Sequence, residues 1–193
     1  MNIRRDDLEI ISKFASNDEN RNAINGIRIE PIPGKGVLLV ATNGRSLGVL
    51  LIEDAAVTEK APITFPLWVL EFIPRKIKFL QLIFPTGKDT RVTIIGKNMP
   101  DMTAEVIEKT YPKWRIVIPT APFIPCNINV SGKVLQPFLD AAKILCASEA
   151  LSFRTSDELS PISVFTDNPN FYGVIMPMRY TGIDKTIPDW VKQ

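Results

Sequence analysis

From residue 37 to residue 54 the chain reads Val-Leu-Leu-Val-Ala-Thr-Asn-Gly-Arg-Ser-Leu-Gly-Val-Leu-Leu-Ile-Glu-Asp, two apolar runs on either side of an Asn43-Gly44 pair. Asn and Gly both accept positive φ, which a tight turn between right-twisted strands requires. An antiparallel hairpin follows, with strands over residues 37–42 and 47–52. Its apolar runs are continuous rather than alternating, so both faces of the hairpin must be covered. One face is expected to pack on helices, the other on a neighbouring segment or a partner.

The segments around the hairpin repeat one order of elements. Residues 2–4 read as extended, and Asp6 or Asp7 caps a helix whose Leu8, Ile11, Phe14 and Ala15 keep helical spacing. A polar loop at 16–20 precedes a strand at 24–32, closed by Pro31, Pro33 and Gly34. A second pass places a strand at 61–66 and a short helix at 67–73, stopped by Pro74. Strands at 79–84, 91–96 and 102–109 follow. Residues 111–119 form a linker that Pro119, Pro122 and Pro125 stiffen into a domain boundary. A third pass has an extended stretch at 127–130, then a helix capped by Ser131, with Pro137 inside its pattern expected to kink its first turn or delay its start. Strands at 151–154, 162–166 and 171–178 complete it. The chain thus spells a strand–helix–three-strand unit three times, roughly 60 residues each, an α+β pattern with helices on one face of antiparallel sheet.

Composition narrows the chemistry. At 193 residues with 45% hydrophobic and 23% charged, the chain has a core-forming composition, and its net charge of +2 is too mild to mark a nucleic-acid binder by itself. It has no histidine, and its two cysteines, Cys126 and Cys146, are isolated. The commonest general base and metal ligand is therefore absent, and neither a zinc cluster nor a disulfide framework is expected. Ile32-Pro33-Gly34-Lys35-Gly36 lacks the hydroxyl that would follow the lysine of a phosphate-binding loop. Asp101, Glu105 and Glu108 could pair in a hydrolase, but carboxylates on strands more often stay solvated. A non-enzyme without cofactor or metal is expected. With no apolar run of ~18 residues and no signal peptide, the expected setting is cytoplasmic, away from membranes.

Three segments resemble one family. Ala41-Thr42-Asn43-Gly44-Arg45-Ser46-Leu47 resembles the Ala-Thr-Asp-Gly-His-Arg-Leu signature of the bacterial β sliding clamp, the DNA polymerase III β subunit. Tyr111-Pro112-Lys113-Trp114-Arg115-Ile116-Val117-Ile118-Pro119 is similar to its Phe-Pro-Asp-Tyr-Arg-Arg-Val-Leu-Pro linker, and Val174-Ile175-Met176-Pro177-Met178-Arg179 to its Val-Val-Met-Pro-Met-Arg end. The resemblance implies a DNA-clamp-like (processivity) fold. Residues 1–120 would be a complete two-unit domain matching the family's middle domain, 121–180 a half-domain matching the second half of its last, and 181–193 a C-terminal tail.

By the same resemblance, clamp-binding peptides of a DNA polymerase or clamp loader would sit in an apolar pocket. Its lining would be Thr42, Gly44, Arg45, Ser46 and Leu47 from the hairpin turn, with Pro112, Ile116 and Val117 from the linker. Val174, Ile175, Met176, Pro177, Met178 and Arg179 would come from the end. Asn43 stands where the family has an acid, Arg45-Ser46 where it has His-Arg, and Ile116 where it has an arginine. Helix-borne cations, Arg4, Arg5, Lys13, Arg75, Lys76, Lys78, Lys133 and Lys143, would contact duplex DNA without sequence preference, diluted by Asp6, Asp7, Glu9, Glu71 and Asp140. A lone half-domain exposes a sheet edge, so a homodimer is expected, and a tetramer would supply a full ring. The alternative is a regulator or decoy that keeps the fold and binds a full-length clamp or its partners. In the tail, Ile187, Pro188, Trp190 and Val191 form an apolar patch.

Overall fold

The computed structural model describes residues 1–53, 55, 61–87, 89–124 and 128–179; Cys126 and the tail with its apolar patch lie outside them. The first unit comprises β1 (Asn2–Arg4), α1 (Arg5–Ser12), β2 (Gly26–Ile32), β3 (Gly36–Thr42) and β4 (Ser46–Ile52). The second comprises β5 (Ile63–Pro66), α2 (Val69–Phe72), β6 (Phe79–Ile83), β7 (Arg91–Gly96) and β8 (Met102–Glu105). The third comprises α3 (Gly132–Leu145), β9 (Ser152–Arg154), β10 (Ile162–Phe165) and β11 (Phe171–Ile175). Short 3₁₀ segments at Glu19–Ile24 and Trp114–Val117 complete the order.

The strands form two antiparallel sheets, ordered β1-β6-β7-β8 and β5-β2-β3-β4-β11-β10-β9. The first two units exchange their leading strands. β1 runs beside β6 of the second unit, and β5 beside β2 of the first. Each unit therefore needs the other to complete its sheet. The strand expected at 102–109 stops at Glu105 because the chain then crosses between sheets: Val106 N–H donates to Thr90 O at 2.8 Å and Ile107 N–H to Thr64 O at 2.9 Å.

The third unit departs from the expected order. Residues 128–130 form no strand, and the described chain before α3 meets a sheet only at the bridge Ile124–Thr155, where Ile124 N–H donates to Thr155 O at 2.9 Å. Two causes act together. This unit has no twin with which to exchange strands, and Pro119 and Pro122 remove backbone donors from the approach. The helices differ from expectation as well. α1 begins at Arg5, before either aspartate, with Asp6 and Asp7 in its first turn where the helix dipole favours negative charge. Burial nevertheless pushes the Asp7 carboxyl above the usual carboxylate range. Ser131 makes no side-chain cap, and α3 runs unbroken from Gly132 through Pro137 to Leu145.

The third unit joins the first through β11, which pairs with β4 from Phe171–Leu50 to Ile175–Ser46. Beneath this seam α1 and α3 lie side by side. The Phe14 and Phe138 rings meet edge to face at 4.8 Å, Phe171 lies 5.9 Å from Phe14, and Lys13 Nζ reaches Asp140 at 3.0 Å. Two glycines that face each other across the seam, Gly48 and Gly173, make room for the rings. A Cβ on Gly48 would fall 2.6 Å from Phe14, and one on Gly173 2.1 Å from Phe138. Gly173→Ala should therefore lower unfolding free energy by about 1–3 kcal/mol through overpacking. Gly132→Ala, with open space around it, should cost nothing, and denaturant unfolding of the two variants checks both.

Candidate functional site

The strands of the larger sheet alternate in the direction they face, and this divides the apolar residues between two layers. Leu39, Ala41, Leu50 and Ile175 face the helices, whereas Val40, Leu47, Val49 and Val174 join Ile24, Tyr111 and Trp114 in a second buried cluster. The linker supplies the cover for that second face. Tyr111 Oη donates to Val40 O at 3.4 Å, and burial raises its hydroxyl well above the ordinary tyrosine value. Trp114 Nε1 donates to Glu30 Oε1 at 3.2 Å, and Arg115 stacks on the indole at 4.1 Å while its guanidinium meets Glu30 at 2.8 Å.

The hairpin turn is held from several sides. Gly44 takes the left-handed position with φ of 85°. Asn43 Oδ1 accepts from the N–H groups of Arg45 and Ser46, each at 2.9 Å, so the amide performs the turn-closing role a carboxylate could fill. Thr42 Oγ1 donates to Ser46 O at 2.7 Å and accepts from Gly44 N–H at 3.1 Å. Arg21, from the 3₁₀ segment before β2, donates to Asn43 O at 2.8 Å. Past the end of β11, Met176 N–H donates to Arg45 O at 2.9 Å and ties the third unit to the turn.

Turn, linker and the end of β11 enclose a cavity of about 250 Å³. Of the residues the sequence nominated, Thr42, Gly44, Arg45, Ser46, Leu47, Pro112, Ile116, Val117, Val174 and Met176 line it. Ile175 does not. It is fully buried on the helix side, because neighbours along a strand face opposite ways and Val174 already faces the cavity. Pro177, Met178 and Arg179 are not among the lining residues either. There the chain leaves the turn, with Met178 N–H donating to Asn129 O at 2.7 Å. The cavity also includes Arg21, Ile24, Lys113 and Trp114. The last two sit inside the linker signature, and a tryptophan next to a proline-bounded turn was a readable signal for a cavity wall. Arg21 and Ile24 carried none, lying in a polar stretch without periodicity.

The cationic residues differ in their availability. Arg5 is buried, paired with Glu9, and its Nε donates to Ile73 O at 3.4 Å, so it cannot reach a phosphate. It anchors α1 to the end of α2 instead. Arg4 is 3.6 Å from Asp6, and Lys13 is spent on Asp140, whose carboxyl that lysine holds below the usual range. Arg75, Lys76 and Lys78 are exposed between α2 and β6, and Lys133 and Lys143 are exposed on α3. Among the described residues no group of acidic or sulfur side chains is placed to hold a metal, and no helix is long and apolar enough to cross a membrane.

Glu30 is the residue on which the linker's seat most depends. Its side chain is only 16% exposed and receives Trp114, Arg115 and, at 3.6 Å, Arg28, whose buried Nε has no hydrogen-bond partner. Glu30→Ala leaves the indole N–H without its acceptor and removes the carboxylate that faces Arg28 and Arg115, and should cost about 2–4 kcal/mol. Glu30→Gln keeps an acceptor for the indole and should recover part of that loss, as read by denaturant unfolding.

No family model matches the chain, and no curated protein sequence matches it. Solved structures do. The DNA polymerase III β subunit of Borrelia burgdorferi, solved with a natural product, superposes with a TM-score of 0.65 at 15% identity, over 94% of this chain and 63% of that one. The β subunit from DNA polymerase of Streptococcus pyogenes gives 0.68 at 12%, over 93% and 66%. The Thermotoga maritima β subunit gives 0.63 at 16%, over 94% and 65%. The present chain thus matches a little under two thirds of the length of these proteins. With its paired helices under a continuous antiparallel sheet and a linker laid across the outer face, the chain has the fold of the bacterial DNA polymerase III β sliding clamps.

Proposed function

We propose that this chain is a non-enzymatic, sliding-clamp-like accessory of DNA replication or repair whose cavity docks clamp-binding peptide segments. The observation that carries the proposal is the convergence of three segments far apart in sequence on one small apolar cavity. Ile116 at its lip is 80% exposed and Met176 39% exposed, apolar surface at a rim that a bound side chain would cover. Methionine adapts to varied apolar shapes, which suits a site for short linear segments. A fluorescently labelled clamp-binding peptide should titrate to saturation, and Leu47→Ala should weaken it by roughly tenfold through loss of buried contact. Absence of saturable binding up to millimolar peptide would discard the docking role.

The domain division at 1–120 and 121–180 belongs to the same proposal, and so does self-association. All three residues of β9 are exposed, and among the described residues only the Ile124–Thr155 bridge meets that edge. An open edge of this kind is costly to leave bare, and a second copy that exchanges the missing strand would complete it. Sedimentation should therefore give a dimer or larger at micromolar protein, with a monomer as the contrary outcome.

Encirclement of duplex DNA is the further part of the proposal, and the charges limit it. With Arg5 buried and Lys13 paired, the contacts left are Arg75, Lys76, Lys78, Lys133, Lys143 and the flank of Arg4. The loss of those two cations favours the second reading, a regulator or decoy that binds a full-length clamp or its partners without enclosing DNA. Binding to duplex DNA at ~50 mM salt supports the first reading, and a stable mixed complex with purified clamp supports the second.

A further inference from the structure

The cavity lining combines apolar and cationic residues. Leu47, Trp114 and Met176 supply apolar lining, while Arg21, Arg45 and Lys113 are the charged residues around it, and among the described lining residues there is no carboxylate. All three cations are exposed. The whole chain carries only +2, so three cations around one small hollow is a local excess that the average charge conceals.

These charges are also available. Arg21 uses one N–H on Asn43 O at 2.8 Å and keeps the rest of its planar fork. Among the described residues, no hydrogen bond or ion pair engages the side chains of Arg45 or Lys113. Glu30, the carboxylate beneath the linker, is already taken by Trp114, Arg115 and Arg28. An anion entering the cavity would meet the side chains of Arg45 and Lys113, which no described residue engages, and the remaining N–H groups of Arg21.

We infer that the cavity selects peptide segments in which an acidic side chain flanks a large apolar anchor. The anchor sits against the indole and Leu47, and the carboxylate stays among the cations at the solvent edge. The inference rests on the peptide-docking reading above and narrows it. The division of labour follows from the environments. Burial of the anchor supplies most of the affinity, whereas exposed charge pairs add discrimination, on-rate and salt dependence.

Three labelled peptides, acetylated and amidated so that no terminal charge contributes, separate the possibilities. They share one apolar anchor pair and differ only in flanks of Asp/Glu, Asn/Gln or Lys. The acidic peptide should bind about tenfold more tightly than its amide counterpart, and the Lys peptide most weakly. The gap should shrink at about 0.5 M salt. The double variant Arg45→Gln, Lys113→Gln should erase the preference, whereas Lys35→Gln, an exposed cation in the turn between β2 and β3, should keep it. Equal, saturable binding of acidic and amide peptides would overturn the charge inference and leave the docking site standing. Absence of saturable binding by all three would overturn both. Peptide affinity that falls as protein concentration rises would mark a second copy in the cavity and overturn the inference as well.

Discussion

The pairing of β4 with β11 is the contact from which the rest of this architecture follows. It joins strands more than a hundred residues apart, as the Gly48–Gly173 pair illustrates. Through it the sheet of the first unit continues into the third, α1 comes to rest beside α3, and the end of β11 arrives next to the hairpin turn. The seam closes because neither glycine presents a Cβ to the aromatic layer beneath. Phe138 meets both Phe14 and Phe171 edge to face in that space, an arrangement that aromatic quadrupoles favour, while Phe171 lies tilted against Phe14.

On the opposite face the same sheet is closed by the linker rather than by helices. The polar hub at Glu30 supplies position more than strength, since taking charges out of water offsets much of their mutual attraction. What it achieves is a single seat for Trp114. The indole N–H is pinned at one edge, and Arg115 covers a ring face while meeting the same carboxylate. A cavity bounded by a loosely held linker would have no lasting shape. This one is bounded by a tryptophan fixed from below and a hairpin turn fixed by Asn43, Thr42 and Arg21.

Strand exchange explains why the three units are unequal. In the first two, β1 and β5 each complete the other unit's sheet, pairing the edges of β6 and β2 and becoming the terminal strands themselves. The third unit has α3 and its three strands but no partner for such an exchange. Among the described residues, its outer edge meets only the chain leading into it, at one residue pair. This asymmetry distinguishes the chain from a simple threefold repeat.

Much of this could be read locally. Continuous apolar runs around Asn43-Gly44 require a hairpin covered on both faces, and helical spacing at Leu8, Ile11 and Phe14 requires an amphipathic helix, whatever the remaining chain does. Local backbone chemistry marks Asn43 and Gly44 as a turn, whereas the place of the turn residues in a cavity is implied by the resemblance of residues 41–47 to a clamp signature. Which way a strand residue faces depends on register against its neighbours, and pairing turns Ile175 into the helix-side core and not toward the cavity. Arg5 looked like a surface cation because one sequence position cannot reveal that Glu9 and Ile73 O surround it. Arg21 reaches the turn, and β4 reaches β11, only across distances along the chain that no local pattern spans. Propensity and periodicity act over a few residues and specified the pieces, while long-range pairing and side-chain packing settled how those pieces meet and what they enclose.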